Sequence, residues 1–423
     1  MKVIFSFVGC WLLISACSTT KNPGIIRDKN ENVLYKILDQ NASLFQSVIS
    51  DTQHRVQIIY TQIDRRKNGR PQFIDYYFNV NDSAYFYPAS TVKLPVAALA
   101  LQKLNELKTN GLNKTTTMIT EAKYSGQAEV YNDPSTADGR PTIEHYIKKI
   151  LLVSDNDAFN RLYEFLGQEY INNSLHKMGY TDVQIIHRLE VSLTEDENRH
   201  TNPLRFFDTS GKLVYEKPLT ESKLVYASRD TKPEIYRVGK GFYRRGELVN
   251  EPFDFSKKNR MSLTTLHNIV RGIMFPAAVP GKQRFKLAGD DYLFLRKYMS
   301  MTPPESKFPS YDKENYRDNY VKFLFYGAEN VPVKDGIRIF NKVGDAYGFL
   351  TDAAYIADFK NNVEFMLSAV IYCNSDEVLN DDKYDYDTVG LPFMKDLGRV
   401  IYEHELKRRR ENVPGLDRFR FDY

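Results

Sequence analysis

The strongest constraint on the fold is that strand-like segments lie at both ends of a chain whose middle has a helical pattern. Near the amino end, residues 56–60 and 73–78 are rich in β-branched and aromatic residues, and Asn68-Gly69 between them is typical of a hairpin turn. Near the carboxyl end, three similar segments precede an amphipathic helix and lie at about 337–342, 347–357 and 363–373. We therefore predict an α/β (α+β) fold, with an antiparallel sheet from both termini flanked by helices and an all-helical lobe.

Helical spacing of apolar residues is found in four segments before residue 170, at 33–49, Ser90 to about Leu107, Ile143 to Leu152 and Asp157 to Leu166. Residues 204–260 instead look like an insertion into this pattern. The hexapeptide that begins at Gly211 (GKLVYE) recurs in similar form at Gly246 (GELVNE), each time after an aromatic pair and a turn. We predict that each copy forms a β-hairpin.

The amino-terminal residues predict export and lipid anchoring. Lys2 is followed by an apolar run from Val3 to Ile14, which is too short to span a bilayer. The small residues before Cys17 resemble a bacterial lipoprotein lipobox, and this resemblance implies cleavage before Cys17 and lipidation of its thiol. We predict a signal peptide at 1–16, a lipidated tether at 17–32 and a globular domain at 33–423, anchored to a bacterial membrane in the cell envelope, either periplasmic or surface-facing. An ordinary signal peptide is the alternative.

Composition excludes several other classes. With 42% hydrophobic and 26% charged residues the chain is an ordinary globular protein, and a net charge of +4 argues against nucleic acid as a partner. Cys10 leaves with the signal and Cys17 carries lipid, so Cys373 has no partner for an intramolecular disulfide. The seven histidines and three cysteines form no cluster with metal-ligand spacing, and we predict no metal.

The first candidate for chemistry is Ser90-Thr91-Val92-Lys93, on a helix surrounded by apolar residues. Residues three apart on a helix are neighbours on one face, so the Lys93 amine can reach the Ser90 hydroxyl. A lysine whose pKa is lowered by burial can serve as a base for such a nucleophile. Taken alone, this spacing is also common on ordinary helix surfaces.

A second motif, Ser154-Asp155-Asn156, separates two predicted helices. The structural interpretation is a capping box in which Ser154 pairs with Asp157. The functional interpretation is a proton relay through the Ser154 hydroxyl, with the Asn156 amide turned to a substrate or to Lys93.

Two further motifs complete the set. In Arg188-Leu189-Glu190, either the carboxylate holds and activates a water, or Arg188 forms a surface ion pair with a neighbouring acid. In Lys342-Val343-Gly344 the lysine either faces a cleft and attracts an anionic group, or lies in solvent at a strand end.

In this order the four motifs resemble those of the class A β-lactamases, within the penicillin-recognising serine hydrolases. The resemblance runs from about residue 33 to residue 405. It implies an α/β lobe and a helical lobe with the site between them, a small-molecule amide or β-lactam substrate, and no cofactor. The Arg188-x-Glu190 motif separates class A from the D,D-peptidases, which lack that loop.

The resemblance also implies a role for each residue. Ser90 is the nucleophile, and Lys93, or Glu190 acting through a water, takes its proton. Ser154 passes a proton to the leaving nitrogen, and Glu190 activates the water that hydrolyses the acyl-enzyme. The substrate would be bound by Asn156, Lys342, Gly344 and Asp345, and the backbone N–H groups of Ser90 and Asp345 would form the oxyanion hole.

Three residues depart from the family pattern. Val343 replaces a threonine or serine that helps bind the β-lactam carboxylate, Asp345 adds a negative charge, and Thr194 replaces an asparagine that helps hold the deacylating water. We predict a serine hydrolase of class A β-lactamase type. The alternatives are a D,D-peptidase, and a binding lipoprotein on an inactive scaffold that uses residues 204–260 as its working surface.

Overall fold

The architecture is given by a computed structural model, which describes residues 24–226 and 233–423. Within these ranges the strands are, in chain order, β1 (Ile25–Ile26), β2 (Gln57–Arg65), β3 (Pro71–Phe78), β4 (Thr117–Thr120), β5 (His200–Thr201), β6 (Leu204–Phe207), β7 (Leu213–Lys217), β8 (Thr220–Glu221), β9 (Arg237–Val238), β10 (Gly241–Arg244), β11 (Glu247–Val249), β12 (Phe253–Asp254), β13 (Ile337–Ala346), β14 (Phe349–Asp358), β15 (Val363–Tyr372) and β16 (Val378–Leu379).

The helices of the same ranges are α1 (Val33–Gln40), α2 (Ala42–Ile49), α3 (Lys93–Leu107), α4 (Ile143–Val153), α5 (Asn156–Leu166), α6 (Gln168–Met178), α7 (Glu195–Arg199), α8 (Leu263–Met274), α9 (Gly289–Ser300), α10 (Phe323–Tyr326) and α11 (Leu391–Lys407). The helix predicted over 33–49 is therefore two helices. They are separated at Asn41, whose side-chain amide donates to the carbonyl of Ile37 and ends the first helix.

The largest sheet joins the two ends of the chain, as the sequence predicts. Its six strands are ordered β1-β3-β2-β15-β14-β13 and are antiparallel except for β1, which runs parallel to β3. The central pairing of β2 with β15 matches Tyr60 to Leu367, so residues more than 300 positions apart form the middle of the sheet. The predicted mixed α/β class is confirmed.

Alternation along the strands divides the core between the two faces of this sheet. Along β15, Phe365, Leu367 and Ile371 pack with α1, α2 and α11. Met366, between them, packs on the opposite face with the apolar residues of α3, α4, α5 and α8. The candidate site lies at the boundary between this second core and the end of β13.

The second lobe is not purely helical. Residues of β4 and β6, including Met118 and Phe206, belong to the same core as α3, α4 and α5. Together with β7 these strands form a three-stranded antiparallel sheet that covers one side of the helices. The four-residue β4 was not predicted because a strand this short has almost no periodic signal.

Both predicted hairpins of the stretch 204–260 are present. The first is β6 with β7, where Phe206 pairs with Tyr215, and the second is β10 with β11, where Phe242 pairs with Val249. The second hairpin also pairs with β16 in the carboxyl-terminal part of the chain.

The amino-terminal predictions lie largely outside the described residues, because the signal peptide at 1–16 and Cys17 precede residue 24. The predicted tether at 17–32 extends too far. Ile25 and Ile26 pair with β3, and Asn32 is buried, caps α1 and donates to the carbonyl of Tyr77. Because Ile25 and Ile26 form backbone hydrogen bonds with the edge strand β3, the folded domain begins before residue 33.

Candidate active site

The candidate nucleophile lies in a tight turn that leads into a buried helix. Residues Ala89–Val92 form a 3₁₀ turn, and α3 begins at Lys93. The backbone N–H of Lys93 donates to the carbonyl of Ser90, which keeps the two residues within one turn of backbone. Ala89 has φ of +45°, a conformation that costs a non-glycine residue roughly 1–3 kcal/mol. Such strain is often found where a backbone presents a reactive group.

Lys93 is fully buried and bonded to the second motif. Its Nζ donates to the Oγ of Ser154 at 3.3 Å, to the Oδ1 of Asn156 at 2.6 Å, and to the carbonyl of Ser154. Burial lowers the pKa of Lys93 to about 7, although the charges of Asp155, Asp345 and Glu190 oppose this shift. A lysine in this state has a substantial neutral fraction at neutral pH and can accept a proton.

Ser154 does not form the predicted capping box. It ends α4 in the left-handed conformation, with φ of +61°, and Asp155 is the residue that caps α5 by accepting from the N–H of Ala158 at 2.7 Å. Because Asp155 takes the capping role, the Ser154 hydroxyl is left beside the lysines. Its Oγ accepts from Lys93 and, at 2.7 Å, from Lys342.

Asn156 connects the lysine to the candidate water-activating carboxylate. Its Oδ1 accepts from Lys93, and its Nδ2 donates to the Oε2 of Glu190. Glu190 is exposed and has φ of +56°. The structure therefore brings together Lys93, Ser154, Asn156, Glu190 and Lys342 by direct hydrogen bonds.

The segment before Glu190 is held by buried asparagine side chains that sequence reasoning missed. Every backbone N–H from residue 185 to residue 189 donates to an asparagine Oδ1, over distances of 2.8–3.3 Å. We call these residues the asparagine cluster: Asn160, Asn172, Asn198 and Asn259.

The asparagine cluster draws its members from elements on several sides of the segment. Asn160 lies on α5 and also donates to the carbonyl of Leu189, whereas Asn259 also donates to the carbonyl of His187. Each of these buried amides accepts a hydrogen bond through its oxygen and donates one through its nitrogen. They therefore satisfy backbone groups that a helix or a strand would otherwise pair. The one signal in the sequence is Asn160, a polar residue between apolar positions on the buried face of a predicted helix.

Arg188 is not the surface residue that the structural interpretation of its motif assumed. It is buried and bonds Glu164 on α5 at 2.9 Å. Its other guanidinium nitrogens donate to the carbonyls of Glu197 and His200 and to Asn202. Arg188 therefore anchors the loop that contains Glu190 to the helical lobe.

Strand β13 approaches the nucleophile's turn at a glycine. A Cβ added to Gly344 would lie 2.7 Å from the carbonyl oxygen of Pro88 and 2.9 Å from the backbone nitrogens of Ser90 and Thr91. Only a residue without a side chain allows this close approach.

Two residues earlier, Lys342 is buried, so it is not a solvent-exposed strand-end residue. Burial first, and then the positive charge of Lys93, hold the pKa of Lys342 well below its usual value. Its ammonium group is bonded to the Oγ of Ser154 and, at 2.9 Å, to the carbonyl of Val343.

The three departures from the family pattern have different surroundings. Val343 is 2% exposed and presents no surface to a ligand. Asp345 is exposed, and desolvation by the surrounding protein raises the pKa of its carboxyl against the opposing charges of Lys342 and Lys93. Thr194 caps α7, since its Oγ1 accepts from the N–H of Glu197 and the Glu197 carboxylate accepts from Thr194 in return.

Other predicted features concern groups away from this site. Cys373 is buried, and burial raises the pKa of its thiol. Across residues 24–226 and 233–423, no group of histidine, cysteine and acidic side chains is placed to hold a metal ion. None of the helices in the described part of the chain combines the length and apolar character needed to cross a bilayer.

Comparisons with known proteins agree with the motifs. A sequence model described as the β-lactamase enzyme family matches residues 41–217, a range that holds Ser90, Lys93, Ser154, Asn156 and Glu190. No curated protein matches the chain.

Solved structures similar to this one include three with nearly equal scores. A β-lactamase from Xanthomonas campestris is 13% identical, with 88% of this chain and 99% of that chain covered and a TM-score of 0.48. A class A β-lactamase from Clostridium kluyveri is 13% identical, with 87% and 98% covered and a TM-score of 0.46. PBP-A is 14% identical, with 90% and 98% covered and a TM-score of 0.48.

Proposed function

We propose that the chain is a serine hydrolase of class A β-lactamase type that acts on an amide or β-lactam through an acyl-enzyme, and the match of residues 41–217 to the β-lactamase enzyme family supports this proposal. The observation that carries this proposal is the continuous hydrogen-bonded path from Lys93 through Asn156 to Glu190, beside the Ser90 turn. This path joins Lys93, the proposed base for acylation, to Glu190, the proposed base for deacylation.

In the first step the Ser90 Oγ attacks the carbonyl carbon and gives its proton to neutral Lys93, or to Glu190 through a water. The new Oγ–C bond forms as the C–N bond breaks, and the leaving nitrogen takes a proton through the Ser154 hydroxyl. Lys342 donates to that hydroxyl, which favours the oxygen's anionic character during the transfer.

In the second step a water held by Glu190 attacks the ester carbonyl. Glu190 takes the water's proton, the Oγ–C bond breaks, and Ser90 recovers a proton as the carboxylic acid leaves. Negative charge on the carbonyl oxygen would be stabilised by the backbone N–H groups of Ser90 and Asp345, each worth about 3 kcal/mol in comparable enzymes. The close approach of Gly344 to the Ser90 nitrogen supports this assignment.

The test is turnover of a chromogenic cephalosporin by the purified full-length protein and by Ser90→Ala and Glu190→Ala. We expect turnover by the wild type and loss of turnover in both variants. A penicillin adduct that persists in the wild type would instead favour the D,D-peptidase type. Neither turnover nor adduct, with anionic and neutral β-lactams alike, would contradict both.

We also propose that the protein is anchored to the cell envelope through lipid on Cys17, on the basis of the apolar run and small residues that precede it. Metabolic labelling with a tagged fatty acid is expected to mark the wild type and not Cys17→Ser. Equal labelling of both proteins would refute the assignment.

A further inference from the structure

Asp345 is an acidic residue next to the glycine that packs against the nucleophile's turn. The residue follows Gly344 on β13, pairs with Leu350 on β14, and is exposed. A Cβ on Gly344 would lie 2.9 Å from the backbone nitrogen of Ser90, so the backbone of Asp345 is one residue away from a contact with the backbone of the nucleophile. This placement makes Asp345 a candidate to meet a substrate that is bound to Ser90.

The neighbouring lysines do not offer a comparable charge to the cleft. Lys93 and Lys342 are 0% and 2% exposed, and the side-chain nitrogen of each is bonded to Ser154 and to a backbone carbonyl. Val343, where the family pattern has a hydroxyl, is covered by protein. This end of β13 thus presents a carboxylate to a ligand where an anion-binding site would present a cation or a hydroxyl.

The ligand chemistry that matches an exposed carboxylate is an ammonium group. A carboxylate accepts a charge-assisted hydrogen bond from an ammonium group, and such a bond is roughly twice as strong as one between neutral groups.

We propose that the substrate carries a protonated amine, which pairs with Asp345, in the position where β-lactams carry their carboxylate. This inference rests on the proposed function, since it requires that Ser90 be acylated. It explains why an acyl-transfer site retains its nucleophile and lysines but places a negative charge at its entrance.

The test uses three β-lactams that differ in one substituent: benzylpenicillin, its neutral methylamide, and its 2-aminoethylamide, which bears an ammonium group. Acylation of Ser90 is followed by intact-protein mass for the wild type, Asp345→Asn and the control Glu247→Gln, whose carboxylate is exposed on the β10–β11 hairpin. The ratio of rate constants for the ammonium and carboxylate compounds is compared between proteins, so intrinsic reactivity cancels.

We expect the ammonium compound to react faster with the wild type, and the ratio to fall about tenfold or more in Asp345→Asn but not in Glu247→Gln, because the neutral amide removes both the attraction of the ammonium compound and the repulsion of the carboxylate compound. A ratio unchanged by Asp345→Asn would overturn the inference.

The three compounds together separate the two proposals: if none of them acylates Ser90, the proposed function fails, and if the methylamide reacts, the charge series tests Asp345 alone. Should Asp345→Asn misfold, the wild-type ratio is measured at low and high salt. We expect the ratio to fall as salt screens the charges, and a ratio that does not change with salt concentration would refute the pairing.

Discussion

Replacing Gly344 with alanine should disturb the candidate site although it leaves every candidate reactive side chain unchanged. The added Cβ would lie 2.7–2.9 Å from three backbone atoms of the turn that carries Ser90, where ordinary contact begins at 3.4 Å. Backbone atoms cannot rotate away, so β13 and the turn must separate by about 0.7 Å at the closest contact. Overpacking of this kind costs about 1–3 kcal/mol of stability, and a misplacement approaching 1 Å costs about a hundredfold in rate.

The assay pairs thermal or urea denaturation with the rate of Ser90 acylation measured by intact mass. The control is Gly415→Ala, because an added Cβ there meets no atom within 4 Å and its backbone is not in the left-handed region. We expect the control to match the wild type in both measurements. Wild-type acylation by Gly344→Ala would refute the claim that this close approach sets the geometry of the nucleophile.

Three other predictions follow from the same contacts. The acylation rate should rise with pH and level off above about 7, because Lys93 becomes a base only when it loses its proton, and a rate that falls over this range would contradict that role. Asn259→Ala should slow deacylation more than acylation, because the backbone N–H groups of residues 186 and 187 lose their acceptor in the segment before Glu190; equal slowing of both steps would indicate a general packing defect. Arg188→Ala should lose about 3 kcal/mol in urea unfolding, since the buried Glu164 keeps only Arg161 as a charged partner, whereas the exposed Lys257→Ala should lose less than about 1 kcal/mol; similar losses would refute the difference in burial.

The sheet could be predicted from the sequence because its carboxyl-terminal strands lie in long apolar runs. Residues 363–373, for example, are apolar except for Glu364 and Ser368, which is typical of a strand that is buried on both faces. The two hairpins near Gly211 and Gly246 were predicted for a similar reason, since each has a turn between aromatic and β-branched residues. β1 and β4 escaped prediction because two to four residues carry no period.

The candidate reactive residues could be proposed from the order of the motifs, but the residues that hold them in place could not. Nothing local distinguishes Asn259, in a polar stretch far along the chain, from any exposed asparagine until the fold brings it to residues 186 and 187. The burial of Arg188 could not be predicted for the same reason, because its partner Glu164 lies on a different element. Ser154 was open to two interpretations, and only the capping bond of Asp155 excludes the capping box.

The central claim is that Ser90 forms an acyl-enzyme which Glu190 then resolves. The most direct measurement is intact mass and peptide mapping after brief exposure to the neutral benzylpenicillin methylamide, in the wild type, Ser90→Ala and Glu190→Ala. We predict a transient adduct on Ser90 in the wild type, a lasting adduct on Ser90 in Glu190→Ala, and none in Ser90→Ala. An adduct on another residue, or no adduct in Glu190→Ala, would contradict the claim.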